Sequence, residues 1–168
     1  EKLSNVFCSE DIVLPEDFSP NRIFGVRNGY ALLEVDNSLD KTRVVKVMKD
    51  GDKYSVTSDM TINDYVRCAA FLPDGDIIYV SQNYVCRRGE DITVDESELS
   101  GHGKITHLAT DGEGNIILGT QFSVSVCDEN LVKQYSIDIS GDLNGIYSSV
   151  DGMAYVWTSM RKRGMRYQ

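Results

Sequence analysis

The chain has 168 residues, a formal net charge of −9 and a sequence pI near 4.6. That length suffices for one domain with its own core, and neither the 41% apolar nor the 9% aromatic share suggests disorder. No apolar run is long enough to span a bilayer, and the acidic balance repels phosphate backbones and so argues against nucleic acid as a partner.

Residues Glu1 to Pro20 fit no repeat, and residues 1–21 are read as an unassigned lead-in or the end of a preceding blade. The first five residues lack the basic and then apolar order of a signal peptide, so the chain reads as a mature form or a piece of something longer. Ile23 to Asp36 (IFGVRNGYALLEVD) is a weak copy of a strand repeat, taken as its second and third strands, with an insertion expected within Lys49 to Asp59. Three fuller copies follow at Val66 to Arg88, Ile105 to Glu129 and Gly145 to Tyr167. Each reads as a short strand, a Gly-marked turn, an apolar strand, a polar break and a third strand. Gly75, Gly114 and Gly152 recur 39 and then 38 residues apart.

The turns have local causes. Pro73 fixes φ, Asp74 bonds locally and Gly75 accepts positive φ; Asp111 to Gly114 and Asp151-Gly152 turn in similar ways. The apolar strands Ile77 to Val80, Ile116 to Leu118 and Tyr155 to Trp157 suit burial on both faces. The strands after them, Val85 to Arg88 and Val124 to Asp128, alternate more and are expected nearer the outside, with fourth strands at Ile92 to Val94 and Gln134 to Ile137. No long amphipathic helix with caps at both ends is evident. Short strands at a period of about 40 residues predict an all-β fold of β-propeller blades. About four repeats are expected, near 22–60, 61–100, 101–140 and 141–168. Propellers commonly have more blades, so the chain reads as part of one, completed by further blades or by a second copy of the chain.

The third copy carries a family likeness. Asn144-Gly145-Ile146, Asp151-Gly152, Val156-Trp157-Thr158 and Gly164 to Tyr167 resemble the two-component regulator propeller repeat. The second copy matches it through Asp111, Gly114, Ile117, Leu118, Gly119 and Thr120, the first through Gly25, Val26, Asn28, Gly29 and Tyr30. The tryptophan survives in one copy only, and the third copy lacks two residues before Gly152. The resemblance implies the periplasmic sensor region of a hybrid two-component regulator of Bacteroidetes, which detects glycan fragments and controls a kinase elsewhere in a longer chain. The alternative is a protein-interaction propeller without a small ligand, and a propeller hydrolase or lyase is a third class.

Motifs for catalysis are absent. His102 and His107 lack a third zinc ligand and are read as loop and strand residues. Asp111, Glu113 and Asn115 imitate the start of a calcium loop, but Ile116 stands where that loop needs Gly, so a turn is preferred. There is no nucleophile elbow and no Gly-rich phosphate loop before a helix, and no metal or cofactor is expected. Cys86 and Cys127 are read as small apolar fillers. No enzymatic activity is expected of the segment, nor any membrane contact. If a ligand binds, the expected site is the face of the breaks between second and third strands: Arg27, Asn28, Gln82, Asn83, Gln121, Phe122, Arg161 and Lys162. Ordinary polar loops explain these positions equally well, and the basic run 161–163 also suits a solvated tip or an acidic partner.

Overall fold

The computed structural model describes Leu14, residues 19–148 and residues 154–159. Within them the chain forms antiparallel sheets in sequence order, each an up-and-down meander. The first sheet contains β1 (Arg22–Arg27), β2 (Tyr30–Ser38), β3 (Lys41–Asp50) and β4 (Lys53–Ile62). The second contains β5 (Cys68–Phe71), β6 (Ile77–Val80), β7 (Tyr84–Arg87) and β8 (Ile92–Asp95). A single helical turn, α1 (Glu96–Ser100), leads to the third sheet: β9 (His107–Thr110), β10 (Ile116–Gly119), β11 (Ser123–Cys127) and β12 (Lys133–Asp138). The described part of the fourth sheet is β13 (Asp142–Ser148) paired with β14 (Ala154–Ser159). The first strands β1, β5, β9 and β13 contact one another in turn, so the sheets fan out from a common axis as β-propeller blades.

Alternation of side chains across each strand builds two layers from one sequence. Ile77 packs with Leu32, Val44, Met60 and Phe71 between the first and second sheets, and Tyr79 packs against the same cluster. Ile78 and Val80 point the other way, into a layer with Ile116, Leu118, Ile105, Leu99 and Cys127 between the second and third. A strand with a neighbour on both faces must be apolar throughout, which is why β6 and β10 read as unbroken apolar runs. On the far side of the first sheet Ala31, Leu33, Val45 and Val47 are buried, with Leu14 packed against them.

Three sequence expectations change. The Ile23 to Asp36 copy holds the first and second strands, not the second and third. Asn28 (φ 51°) and Gly29 (φ 79°) close it as a two-residue turn between Arg27 and Tyr30, the Asn-Gly hairpin whose paired positive φ values match strand twist. There is also no insertion at Lys49 to Asp59: those residues complete the long β3–β4 hairpin, turning at Gly51. The third strands β7 and β11 are mostly buried, and the fourth strands β8 and β12 take the exposed edge. A short helix is also present. Asp95 accepts from Ser97 N at 3.0 Å as its N-cap, and Gly101 (φ 70°) closes it.

Gly119 is dictated by packing. A Cβ there would run into the methyl ends of the Leu143 and Ile146 side chains, which would have to shift for β13 to keep its seat on the third sheet. Gly119→Ala is expected to lower stability by about 1–3 kcal/mol in chemical denaturation. Gly145→Ala, with nothing within 4 Å of the added atom, should be close to neutral. Equal effects of the two substitutions would contradict this packing.

Candidate functional site

The chain enters the second and third sheets in the same way. Val66 and Ile105 are fully buried, which removes their main-chain polar groups from water. The preceding blade supplies partners. Val66 N donates to Thr42 Oγ1 at 2.9 Å and its carbonyl accepts from Arg22 Nη2 at 2.6 Å. Ile105 N donates to Glu96 Oε1 at 2.6 Å and its carbonyl accepts from Arg67 Nη1 at 2.6 Å. Arg67 also donates to Ser81 O at 2.7 Å and Glu96 Oε1 at 2.5 Å.

The second junction shapes a cleft of about 530 Å³ lined by Asn83, Tyr84, Asp95, Glu96, Ser97, Ser100, Gly101, Gly103 and Lys104. Lys104 Nζ is fixed by Gln82 O (2.8 Å), Asn83 Oδ1 (3.4 Å) and Glu96 Oε2 (2.9 Å). Burial alone would raise the Glu96 carboxyl, but hydrogen bonds from Ile105 N, Lys104 and Arg67 outweigh it and hold the group below its ordinary value. Two aromatic rings stand in the open nearby. Tyr84, in the lining, is 45% exposed, and Phe122, 55% exposed, packs beside Gly103.

The structure divides the sequence-predicted residues. Gln82, Asn83, Gln121 and Phe122 share one end of the blades with the Leu39-Asp40 turn, because Gln82 Nε2 reaches Leu39 O at 2.8 Å. Gln121 is exposed, and only Asn83 lines the cleft itself. Arg27 and Asn28 lie at the other end, a direct consequence of the strand frame corrected above. There Arg27 donates to Phe71 O (3.3 Å), Thr110 Oγ1 (3.3 Å) and Asp111 O (3.1 Å), tying three blades beside an axial cleft of about 480 Å³. Arg161 and Lys162 lie outside the described residues. Sequence reading missed Tyr84, Ser97 and Lys104. The one available signal was the Asp95-to-Gly101 segment, a cap-to-cap helical turn too short to register as periodicity.

Asp111 is a turn residue: its Oδ1 accepts from Glu113 N (2.8 Å) and Asn115 N (2.9 Å), and its Oδ2 from Asn115 Nδ2 (2.6 Å). His107 Nδ1 bonds Thr106 Oγ1 at 2.9 Å. Among the described residues no group of three or more His, Cys, Asp or Glu is placed to hold a metal ion. Cys86 and Cys127 are free and buried, in the two different layers between sheets. Burial pushes the Cys68 thiol up to about 12 and the Cys127 thiol up to about 11.

The fold recurs in solved structures. A gluconolactonase from Xanthomonas campestris, XC5397, superposes with a TM-score of 0.58 at 14% identity, over 83% of this chain and 54% of that one. Kuenenia stuttgartiensis hydrazine synthase gives a TM-score of 0.54 at 10% identity, over 86% and 60%. This chain therefore spans a little over half the length of the structures it matches. These likenesses establish a β-propeller-like fold. A scan against protein-family models and a search of curated proteins each find no match.

Arg67→Ala is expected to cost about 3 kcal/mol, because it strands the buried Glu96 carboxylate and the Ile105 carbonyl. A carboxyl held low in the folded state contributes stability above its unfolded value, and that contribution is lost as pH falls through the lower folded value. The penalty of Arg67→Ala should therefore shrink as pH falls through the lowered value of the Glu96 carboxyl; a pH-independent penalty in urea titrations would contradict the pairing. For the thiols, iodoacetamide at pH 8 should leave Cys68 and Cys127 unmodified in peptide mass maps of the native protein and alkylate both in denaturant.

Proposed function

We propose that this chain is a ligand-recognition segment of a periplasmic sensor, part of a hybrid two-component regulator, and that it binds a glycan-type ligand at the cleft beside α1. The observation that carries the reading is the composition of that cleft. A pre-fixed lysine, an amide, two hydroxyl side chains and a half-exposed tyrosine converge there, with Phe122 adjoining. Polar groups held in place suit the hydroxyls of a sugar, and an exposed ring suits its apolar face. The repeat motifs supply the two-component context, and the propeller fold agrees with them. The strand break at Asn83-Tyr84 and the α1 segment with the link that follows it build the cleft, so contact with a ligand there would bear on the junction between two blades.

The experiment is calorimetry of the purified chain against a panel of neutral and acidic oligosaccharides. Saturable binding is expected. Tyr84→Ala or Asn83→Ala should weaken it by about five- to tenfold, the loss of one ordinary contact. Asn28→Gly, at the opposite end of the blades, should leave it unchanged. No binding by any sugar would contradict the reading. An enzymatic reading comes from the gluconolactonase likeness, and the same preparation decides it: turnover of a sugar lactone above the buffer rate would replace the sensor reading.

A further inference from the structure

Most cations that the fold takes partly out of water sit on a carboxylate. Arg22 holds Glu34, Arg43 holds Asp59, Arg67 holds Glu96, and Arg87 holds Asp74 and Asp76. Arg27 and Lys46 are half-buried as well, yet among the described residues neither is paired with a carboxylate. Arg27 donates to uncharged acceptors, the Phe71 and Asp111 carbonyls and the Thr110 hydroxyl. Lys46 Nζ reaches the Gly75 carbonyl at 3.5 Å and stands 4.4 Å from the centre of the Tyr30 ring and 5.4 Å from that of Phe71. An ammonium group has three N–H donors, so one long bond leaves donors of Lys46 unused.

The two cations line one pocket of about 130 Å³, between the turn at Asn28 in the first sheet and the Pro73-Asp74-Gly75 turn in the second. All four strands of both sheets are described, and the pocket lies at the end of the blades away from the cleft beside α1. The one carboxylate in its lining, Asp74, is engaged elsewhere: its Oδ2 accepts from Arg87 Nη2 at 2.6 Å and its Oδ1 from Asp76 N at 2.9 Å. The unpaired charge in the pocket is therefore positive, in a chain whose net charge is −9. Tyr30, Phe71, Leu72 and Pro73 make the rest of the wall largely apolar.

We infer that this pocket binds a small organic carboxylate, as a second site independent of the glycan cleft. Its charged end lies between Lys46 and Arg27, where charge-assisted hydrogen bonds take up the unused donors. Its apolar tail lies against the rings and Leu72, which favours an organic acid over a strongly hydrated inorganic anion. A cavity of about 150 Å³ admits benzene, so this one takes about five or six non-hydrogen atoms, the size of propionate or butyrate and too small for a pyranose ring.

The test is a titration of the isotope-labelled chain with sodium propionate at constant ionic strength, read by amide chemical shifts, with propionamide as the uncharged isostere. Saturable shifts are expected at Asn28, Gly29 and Gly75, with a Kd of about 0.1–10 mM for so small a ligand. Propionamide should produce none of them. Lys46→Gln should weaken propionate at least about tenfold, the loss of one charged hydrogen bond, with the shifts of the third sheet unchanged. Tyr84→Ala, at the α1 cleft, should leave propionate binding as it is. Propionamide shifts equal to those of propionate, or no saturation by either, would overturn the proposal and leave Lys46 as a cap on two aromatic rings; this comparison needs no variant. A folded Lys46→Gln protein that binds propionate as before would overturn it as well.

Discussion

The arrangement depends on a buried backbone residue at the entry to a blade. Val66 and Ile105 each carry an amide and a carbonyl out of water, and the folded chain tolerates this only if both groups find partners. Both partners come from side chains of the blade before: Thr42 and Arg22 for Val66, Glu96 and Arg67 for Ile105. An arginine at the start of one inner strand thus fixes the start of the next. At the other end of the inner strands Arg27 reaches Phe71 and Asp111 carbonyls. Apolar layers hold the sheets together without direction, whereas these bonds set how one blade is placed against the next.

The same device explains where the cleft lies. At the first junction the amide acceptor is Thr42, within β3, and the link from Ile62 to Cys68 is short. At the second the acceptor is Glu96, the first residue of α1, and the link from Asp95 to His107 is longer. That longer link carries Ser97, Ser100 and Lys104, and it leaves space against Asn83 and Tyr84. Glu96 holds the blades together with one oxygen and Lys104 with the other. A ligand in contact with Lys104 would therefore touch a group whose partner fixes the neighbouring blade.

Much of the fold was legible in the sequence because its causes are local. Pro73-Asp74-Gly75 and Asp111 to Gly114 turn where their chemistry demands, with Gly75 and Gly114 at positive φ, and the apolar runs of β6 and β10 lie between sheets. The first copy was misframed because Asn28-Gly29 replaces a longer Gly-marked turn with a two-residue one, which shifts the apparent strand count and carries Arg27 and Asn28 to the wrong end. The burial of β7 and β11 was hidden by residues such as Arg87, whose charge is matched in the fold by Asp74 at 2.6 Å and Asp76 at 2.9 Å. The roles of Arg22, Arg67 and Glu96 were not legible at all. Each acts on residues far along the chain, and an isolated arginine or glutamate carries no local mark of such a partner.

Amide hydrogen exchange at the blade junctions tests this account most directly. If side-chain capping of buried entry residues fixes the blades, the Val66 and Ile105 amides will exchange as slowly as those of β6 and β10. Arg67→Ala will then speed exchange at Ile105 and leave Val66 protected. Rapid exchange at Ile105 in the unmodified protein, with β10 still protected, would contradict the account, and so would an Arg67→Ala variant in which Ile105 remains slow.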